Sequence, residues 1–203
     1  IVRSTTNLTE EKTNTECQDF LYSLQKITEK DLLKIMPKDN VNYSGGVAQN
    51  ILANSKFLKY KNFKIDPICI DSGISLGLLN YFLKGKLNQL DTVYLGPLPN
   101  YKDINIFKDF NIVDSDETKV SELLKDNPVA LFQGRSEQGQ RGLGNRSLLM
   151  NCFNKKAIEK INAIKKREWY RPFSPSVIEE KANLFFNMQN KISPYMMYAF
   201  KTK

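Results

Sequence analysis

Apolar residues recur every three or four positions over residues 16–36, a spacing that places them along one face of an α-helix. Pro37 ends the pattern, because a proline ring cannot continue a helix. The pattern therefore predicts a long amphipathic helix, whose apolar positions are Phe20, Leu21, Leu24, Ile27, Leu32, Leu33 and Ile35.

Two strand–turn–helix units follow this helix. Residues 41–43 are a strand candidate, and Ser44-Gly45-Gly46 separates them from a predicted helix over residues 47–58. Residues 65–70 are a second strand candidate, and Asp71-Ser72-Gly73 separates them from a predicted helix over residues 74–83. The change from short apolar runs to helical periodicity indicates alternating strands and helices.

The rest of the chain is divided by glycine and proline. Residues 85–101 carry the loop signals Gly96-Pro97 and Pro99-Asn100, and we place a domain boundary there. Beyond it the pattern predicts a short helix over 121–125, a buried strand over 129–133, a basic helix over 155–166 and a helix over 177–186. Residues 193–200 are apolar enough to pack on the body of the protein.

Composition narrows the classes of protein that fit. The 203 residues suffice for one large domain or two small ones, and 41% hydrophobic with 26% charged residues is typical of soluble proteins. No apolar run approaches the roughly 20 residues that span a bilayer, and no signal peptide is evident. Because the chain opens with Ile1, we expect it to be processed or to be a piece of a longer protein.

Cysteine and histidine usage excludes several chemistries. Cys17, Cys69 and Cys152 are odd in number and form no CxxC pair, which favours free thiols and a cytoplasmic location. The chain has no histidine, so a Cys/His zinc site is nearly excluded and Ser-His or Cys-His nucleophiles are absent. The net charge of +8 comes largely from scattered lysines, and we interpret most of it as a solvated face.

The densest chemical signal lies in residues 133–147, directly after the predicted buried strand. Three arginines and four glycines occur there with four side-chain amides and two hydroxyls. Glycines let a backbone approach a ligand, and the guanidinium fork fits phosphate or carboxylate oxygens in pairs. A surface loop whose arginines pair with Glu137 and other acids is the simpler alternative, but exposed ion pairs stabilise a fold by only about 0–1 kcal/mol. We therefore favour an anion site.

Three weaker segments accompany this loop. Ser44-Gly45-Gly46 can cradle a phosphate at a helix start or merely form a tight connection. Asp71 can cap the next helix or point at a metal or a nucleotide hydroxyl, and from the residues alone capping is favoured. Residues 165–176 add two arginines, two adjacent rings and Pro172 and Pro175, either as part of the site or as a packing corner.

The order of these segments resembles a known enzyme family. Ser-Gly-Gly-Val-Ala-x-Asn covers residues 44–50 and Asp-Ser-Gly covers 71–73. Gly-Arg-x-Glu-x-Gly-x-Arg-x-Leu-Gly-Asn-Arg-Ser covers 134–147, and Lys-x-Arg-Glu-x-x-Arg-Pro-Phe-x-Pro-Ser covers 165–176. Together they resemble the O-carbamoyltransferases of the nodulation and antibiotic-tailoring type, over about residues 17–198.

The resemblance implies an α/β protein in two parts. Residues 1–98 would be the C-terminal part of an actin-like ATPase (ASKHA) lobe that transfers the carbamoyl group. Residues 99–203 would be an open twisted-sheet domain, similar to the threonylcarbamoyl-adenylate synthases, that forms carbamoyl-adenylate from ATP and carbamoyl phosphate. The acceptor would be a hydroxyl of a small molecule, and its identity stays open.

The resemblance also assigns residues. Catalytic roles fall to Arg141, Arg146 and Ser176, and Asp71 becomes a metal ligand. Nucleotide or substrate binding falls to Gly45, Gly46, Asn50, Arg135, Asn145, Ser147, Arg167 and Arg171. The implied cofactors are ATP with Mg²⁺ and a divalent metal, iron in the complete protein. The family holds that metal partly through histidines, so we expect this chain to be a C-terminal fragment whose partner is the missing N-terminal half.

Other functions stay open at this stage. The basic balance would also suit a nucleic-acid-binding module, although we see no basic run flanked by exposed rings. A relative that acts in tRNA threonylcarbamoylation is a further alternative, which the fused motif order disfavours. A membrane partner is not expected, and a homodimer is compatible with the sequence. Gln140 and Gly142 replace the family's more frequent Pro and Ala, and we expect little consequence.

Overall fold

The computed structural model describes residues 10–86, 91–100, 107–188 and 192–203. It mixes helices with two small sheets, as predicted for an α/β protein. The helices are α1 Glu10–Ile35, α2 Ile51–Phe57, α3 Ile74–Phe82, α4 Glu117–Asp126, α5 Ala157–Ile164 and α6 Ala182–Phe185, and the strands are β1 Asp39–Tyr43, β2 Lys61–Ile65, β3 Val129–Phe132 and β4 Arg146–Leu149. Short 3₁₀ turns cover Gly46–Gln49, Asp71–Gly73 and Glu179–Lys181.

The predicted long helix is confirmed as α1, but its apolar face is largely uncovered. Phe20 is 61% exposed and Ile27 is 58% exposed. One polar link joins α1 to α2, because the side-chain amides of Gln25 and Asn50 donate to each other at 2.8 and 3.2 Å. Within the described residues, no helix combines the length and apolar content needed to cross a membrane.

Strands β1 and β2 pair in parallel, with Val41 opposite Phe63 and Tyr43 opposite Ile65. The second strand was predicted at residues 65–70, which is wrong, since it ends at Ile65. Two residues explain the difference: the Asp66 carboxylate accepts the Ile68 N–H at 2.7 Å and turns the chain, and Pro67 has no N–H for a ladder.

The connection from β1 to β2 was predicted to contain one helix, but it contains a 3₁₀ turn followed by the separate helix α2. A 3₁₀ turn ends at Gln49, and Asn50 leaves the helical region with φ −76° and ψ 88°. Its side chain then accepts the Ala53 N–H at 3.1 Å and starts α2. Asparagine caps helices in this way because its oxygen replaces a missing intrahelical acceptor.

Strands β3 and β4 form an antiparallel hairpin, with Val129 opposite Leu149 and Phe132 opposite Arg146. The strand after Pro128 is confirmed, but its predicted burial is wrong, since Phe132 is 59% exposed. Within the described residues this sheet has two strands, and Ala130 and Phe132, which alternate along β3, are both exposed.

Helix boundaries in the second half differ from the predicted ones for local reasons. Helix α4 starts earlier than expected because the Asp116 side chain accepts the Lys119 N–H at 2.8 Å. The helix predicted over 177–186 shrinks to a 3₁₀ turn and the single turn α6. It stops because Phe186 turns extended and bridges to Thr202.

The predicted packing of the C-terminal tail is confirmed. Ala48, Cys69 and Met197 form a buried cluster, with each side chain at most 3% exposed. Around it pack Tyr43, Ile65, Ile70, Tyr195 and Tyr198. Residues near the end of the chain thus join the core of the first 98 residues. The assignments to an actin-like lobe and to an open twisted sheet, and the division at residue 98, stay predictions.

Candidate functional site

The arginine–glycine loop, residues 133–147, comprises the connection between β3 and β4 and the first two residues of β4. Three glycines set its shape, because Gly134 has φ +50°, Gly139 has φ +112° and Gly144 has φ +111°, a region that other residues rarely adopt. The fourth, Gly142, lies so close to the returning chain that a Cβ there would sit 2.7 Å from the Arg146 carbonyl oxygen. We expected little consequence from glycine at position 142, but a side chain there would clash with the Arg146 carbonyl unless the backbone moved.

Glu137 is the centre of the loop. Its Oε1 accepts backbone N–H groups from Leu143 at 2.6 Å, Asn145 at 2.9 Å and Arg146 at 3.4 Å. Burial alone would raise the pKa of this carboxyl, but the backbone donors outweigh it and hold the pKa below the ordinary value. Among the described ion pairs none joins Glu137 to an arginine, so the simple surface-pairing alternative is wrong for this residue.

The loop is hydrogen-bonded to residues 93–96, a segment that the sequence predicted to be irregular. The N–H of Gln138 donates to the Val93 carbonyl at 2.7 Å, and the N–H of Gly96 donates to the Ser136 carbonyl at 3.0 Å. The Tyr94 hydroxyl donates to the Leu143 carbonyl at 2.9 Å.

A further bond reaches the Asp-Ser-Gly turn, where the Gln138 side chain donates to the Ser72 carbonyl at 3.0 Å. The structure therefore brings two of the sequence motifs together through residues that sequence analysis missed. Little in the sequence indicated that Tyr94 and Gln138 would make these contacts: each is a hydrogen-bonding residue close to glycines.

Arg146 stabilises the loop from inside. Its guanidinium donates to the carbonyls of Gln133 at 2.6 Å, Asn145 at 2.7 Å and Gly134 at 3.2 Å. The same group stacks 3.8 Å above the Phe132 ring. A guanidinium has five N–H donors, and these contacts occupy its NH1 and NH2 sides.

Three other predicted site residues also take part in the internal network of the loop. Arg135 donates to the Gly96 carbonyl at 2.9 Å, and its own carbonyl accepts the Asn145 amide at 2.7 Å. The Ser147 hydroxyl accepts the Gly144 N–H at 2.9 Å.

Arg141 differs from the other two arginines of the loop. No described hydrogen bond or ion pair engages its guanidinium, and its Nε is buried without a protein acceptor. The neighbouring Gln140 likewise has both amide atoms buried without partners. Burial raises the pKa of the Cys69 thiol, and the positive charge of Arg141 partly opposes that rise. Arg141 thus acts electrostatically on Cys69, and its Nε is left without a hydrogen-bond partner.

Cys69 belongs to the wall of a cleft of about 1040 Å³. The cleft brings together Gly45 and Asp71, two residues from different sequence motifs. Its wall also includes Ser44, Asp66, Asp91, Thr92, Asn80 and Tyr195. The arginines of the loop do not line it directly.

The Gly-Gly turn is held against this cleft by main-chain contacts. Gly45, at φ +101°, donates its N–H to the Cys69 carbonyl at 2.7 Å, and the Ser44 hydroxyl donates to the same oxygen at 3.1 Å. A Cβ added to Gly45 or Gly46 would meet no atom within 4 Å, so space in front of the turn is open. Asn50, by contrast, already binds Gln25 and caps α2.

Asp71 does not act as a helix cap. Neither the 3₁₀ turn at Asp71–Gly73 nor α3 has a side-chain cap, so the carboxylate is left exposed on the cleft wall. Within the described part of the chain, no group of three His, Cys, Asp or Glu residues could hold a metal ion. The described residues therefore do not form a metal site by themselves, and the ligand role of Asp71 stays a prediction.

The segment over residues 165–176 folds around a buried amide that sequence analysis missed. Asn162 is 2% exposed and donates to the Trp169 carbonyl at 3.0 Å and the Arg171 carbonyl at 3.3 Å. Its oxygen accepts Arg167 Nε at 2.6 Å, and Arg167 stacks 4.2 Å above the Phe173 ring.

Other predicted site residues of this corner face solvent. Arg171 pairs with Glu168 at 2.7 Å, and Ser176 is exposed. Among the described residues, no hydrogen bond or ion pair joins this corner to the arginine–glycine loop. Trp169 and Tyr170 are 65% and 62% exposed beside Lys165 and Lys166. That arrangement removes one sequence argument against nucleic-acid binding.

Comparison with known proteins gives independent evidence on the family that this chain resembles. A family model described as carbamoyltransferase C-terminus matches residues 120–203. The uncharacterized protein sll1178 of Synechocystis sp. is 34% identical, over 88% of this chain and 34% of that protein. Nodulation protein NolNO of Sinorhizobium fredii is 32% identical, over 84% of this chain and 29% of that protein.

Nodulation protein U of Rhizobium fredii is 29% identical, over 81% of this chain and 29% of that protein. The chain therefore spans about a third of the length of these curated relatives. The resemblance drawn from the four motifs is confirmed by these matches.

Proposed function

We propose, on the premise that residues 120–203 belong to the carbamoyltransferase C-terminus family, that this chain takes part in ATP-dependent transfer of a carbamoyl group to a hydroxyl. The acceptor belongs to the class of hydroxyl-bearing small molecules. The family match and the similarity to nodulation proteins NolNO and U support the carbamoyl-transfer part of this proposal.

In this proposal the carbamoyl group is activated in two steps. Water releases phosphate from carbamoyl phosphate, and a carbamate oxygen then attacks the α-phosphorus of ATP, so that pyrophosphate leaves and carbamoyl-adenylate remains. In the transfer step an acceptor hydroxyl oxygen forms a bond to the carbamoyl carbon, AMP leaves, and the hydroxyl proton passes to a base or to water. Both reactants are strongly anionic, so a positive group held in place would lower the barrier.

The observation that carries this proposal is the state of Arg141. Arg135 and Arg146 donate hydrogen bonds to nearby main-chain carbonyls. Arg141, by contrast, has a buried Nε without an acceptor. A buried donor without a partner costs about 1–3 kcal/mol, which a bound phosphate or carboxylate oxygen would offset. In this proposal Arg141 binds the anion, while Arg135, Asn145, Arg146 and Ser147 keep the loop in shape.

The nearby cleft suits a second role. Open space in front of Gly45 and an exposed carboxylate at Asp71 lie on one wall, and we propose that the adenylate and the acceptor hydroxyl meet there. No step is assigned to a metal, because the described residues do not form a metal site. Arg167, Arg171 and Ser176 lie in the separate corner, and their part in ligand binding stays a prediction.

Titration of the 203-residue chain with ATP and with carbamoyl phosphate tests the proposal. We expect both ligands to bind and Arg141→Ala to weaken carbamoyl phosphate at least ~tenfold, since a charge-assisted contact contributes on that scale. Lys155→Ala removes the same charge from an exposed position and serves as the matched control. Equal affinities of wild type and Arg141→Ala would exclude the assignment of Arg141.

One observation keeps nucleic-acid binding as a second candidate. Exposed Trp169 and Tyr170 beside Lys165 and Lys166 offer rings for stacking and charges for phosphates. Salt dependence separates the candidates, because oligonucleotide affinity falls steeply with salt in proportion to the phosphates contacted. Tight oligonucleotide binding that Trp169→Ala abolishes would favour this second candidate.

A further inference from the structure

We infer that Glu137 is a positioning residue that holds Arg141 in place to bind the oxyanion of the substrate. The inference rests on the proposed function, since it assigns the residue that presents Arg141 to its ligand. Four hydrogen bonds, two at Gln138 and two at Leu143, fix the backbone on both sides of Arg141.

On the N-terminal side, Gln138 is fixed twice. Its N–H donates to the Val93 carbonyl at 2.7 Å, and its side chain donates to the Ser72 carbonyl at 3.0 Å. Both acceptors belong to segments that surround the cleft. The chain therefore enters residues 139–142 from a defined point.

On the C-terminal side, both the N–H and the carbonyl of Leu143 are hydrogen-bonded. Glu137 Oε1 accepts the Leu143 N–H at 2.6 Å, and the Tyr94 hydroxyl donates to the Leu143 carbonyl at 2.9 Å. The Glu137 bond closes the backbone into a ring that contains Arg141. Without it the span between Gln138 and Leu143 would lose its shortest restraint.

The choice of partner also preserves charge. A carboxylate near a guanidinium would ordinarily pair with it and cancel its field. Glu137 instead spends its oxygen on three N–H groups, at Leu143, Asn145 and Arg146. No ion pair described for the chain engages Arg141, so its guanidinium is available to an incoming anion.

A double-mutant cycle on carbamoyl phosphate affinity tests this role. We expect Glu137→Ala to weaken binding about tenfold in the wild-type chain and to have little further effect in Arg141→Ala. Additive losses would overturn the inference, because they mean that Glu137 does not act through Arg141. Glu122→Gln, which removes a carboxylate paired with Lys125 on exposed α4, is the control.

Glu137→Gln keeps the test decisive if the alanine variant folds poorly. Its carbonyl can still accept N–H groups but does not titrate, so binding should fall less than in Glu137→Ala. The amide proton resonances of Leu143 and Asn145 should shift together as wild-type Glu137 is protonated in acid, and that joint shift should be absent in Glu137→Gln. Resonances that titrate alike in both proteins would overturn the geometry.

The outcomes separate this inference from the proposed function. If the wild-type chain binds neither ATP nor carbamoyl phosphate, the proposed function fails, and the inference fails with it. If the wild type binds both and Glu137→Ala binds equally well, the inference alone fails.

Discussion

The Asn54 side chain donates to the carbonyl of Met197, 143 positions later in the chain, at 2.9 Å. Asn54 is fully buried, and the same nitrogen donates to the Ala48 carbonyl at 2.7 Å. Next to it the Ser55 hydroxyl accepts the Ala199 N–H at 2.8 Å. Helix α2 therefore holds the C-terminal tail through two polar side chains, across the predicted boundary at residue 98.

Asn54→Ala should destabilise the protein by about 2 kcal/mol or more. The change leaves the carbonyls of Ala48 and Met197 buried without donors, each at ~1–3 kcal/mol. Chemical denaturation measures the free energy of unfolding, and limited proteolysis measures release of the tail. Asn42→Ala, at an exposed site of β1, should stay within ~0.5 kcal/mol of wild type. Equal stability of the two variants would contradict the role of Asn54.

Two glycines only four positions apart should respond to alanine in opposite directions. A Cβ at Gly73 would lie 2.2 Å from the Ile68 carbonyl oxygen, whereas a Cβ at Gly77 would meet nothing within 4 Å. Gly73→Ala should cost ~1–3 kcal/mol through a forced backbone shift. Gly77→Ala should be neutral or stabilise α3 by up to ~1 kcal/mol, because alanine loses less entropy in a helix. Thermal unfolding of both variants checks this contrast.

The pH dependence of stability should depend on Gln25. The hydrogen bond from Gln25 at 2.9 Å is the main cause that lowers the pKa of Glu29 from its ordinary value of 4.5, while burial opposes it. A depressed folded-state pKa contributes stability that is present above 4.5 and is lost as pH falls through the lowered value.

Gln25→Ala should therefore reduce the acid-side loss of stability that Glu29 causes. Denaturant midpoints between about pH 3 and pH 7 measure the effect. Glu29→Gln should lose this component entirely. A wild-type pH profile retained by Glu29→Gln would assign the dependence to other carboxylates.

Asn162→Ala should loosen the arginine corner of residues 165–176. The variant loses the amide that binds the Trp169 and Arg171 carbonyls and the oxygen that receives Arg167. Trp169 is the single tryptophan of the chain, so its fluorescence and its quenching by acrylamide report on this corner directly. Asn127→Ala, at an exposed position after α4, should leave the spectrum unchanged. An unaltered spectrum in Asn162→Ala would contradict the central place of that amide.

Local signals predicted most elements correctly and failed where side chains compete with backbone patterns. Helix α1 followed from periodicity, and the turn at Asp71–Gly73 followed from its residues. The second strand was misplaced because an Asp66 hydrogen bond and Pro67 turn a β-favouring run away from the ladder. In the site, the arginines were found by composition, but composition could not show that Arg146 binds main-chain carbonyls while Arg141 does not.

The sequence by itself determined the resemblance to the carbamoyltransferases, the mixture of strands and helices, and a loop whose glycines and arginines suit an anion. Those properties follow from residue type and spacing, which act over a few positions. Only the tertiary structure decided that Glu137 binds the backbone and not an arginine. It alone placed Gly45 and Asp71 on one cleft, and it alone seated Met197 on Asn54. These outcomes depend on which donors and acceptors distant segments bring together, and buried polar groups bind whichever partner the completed fold offers.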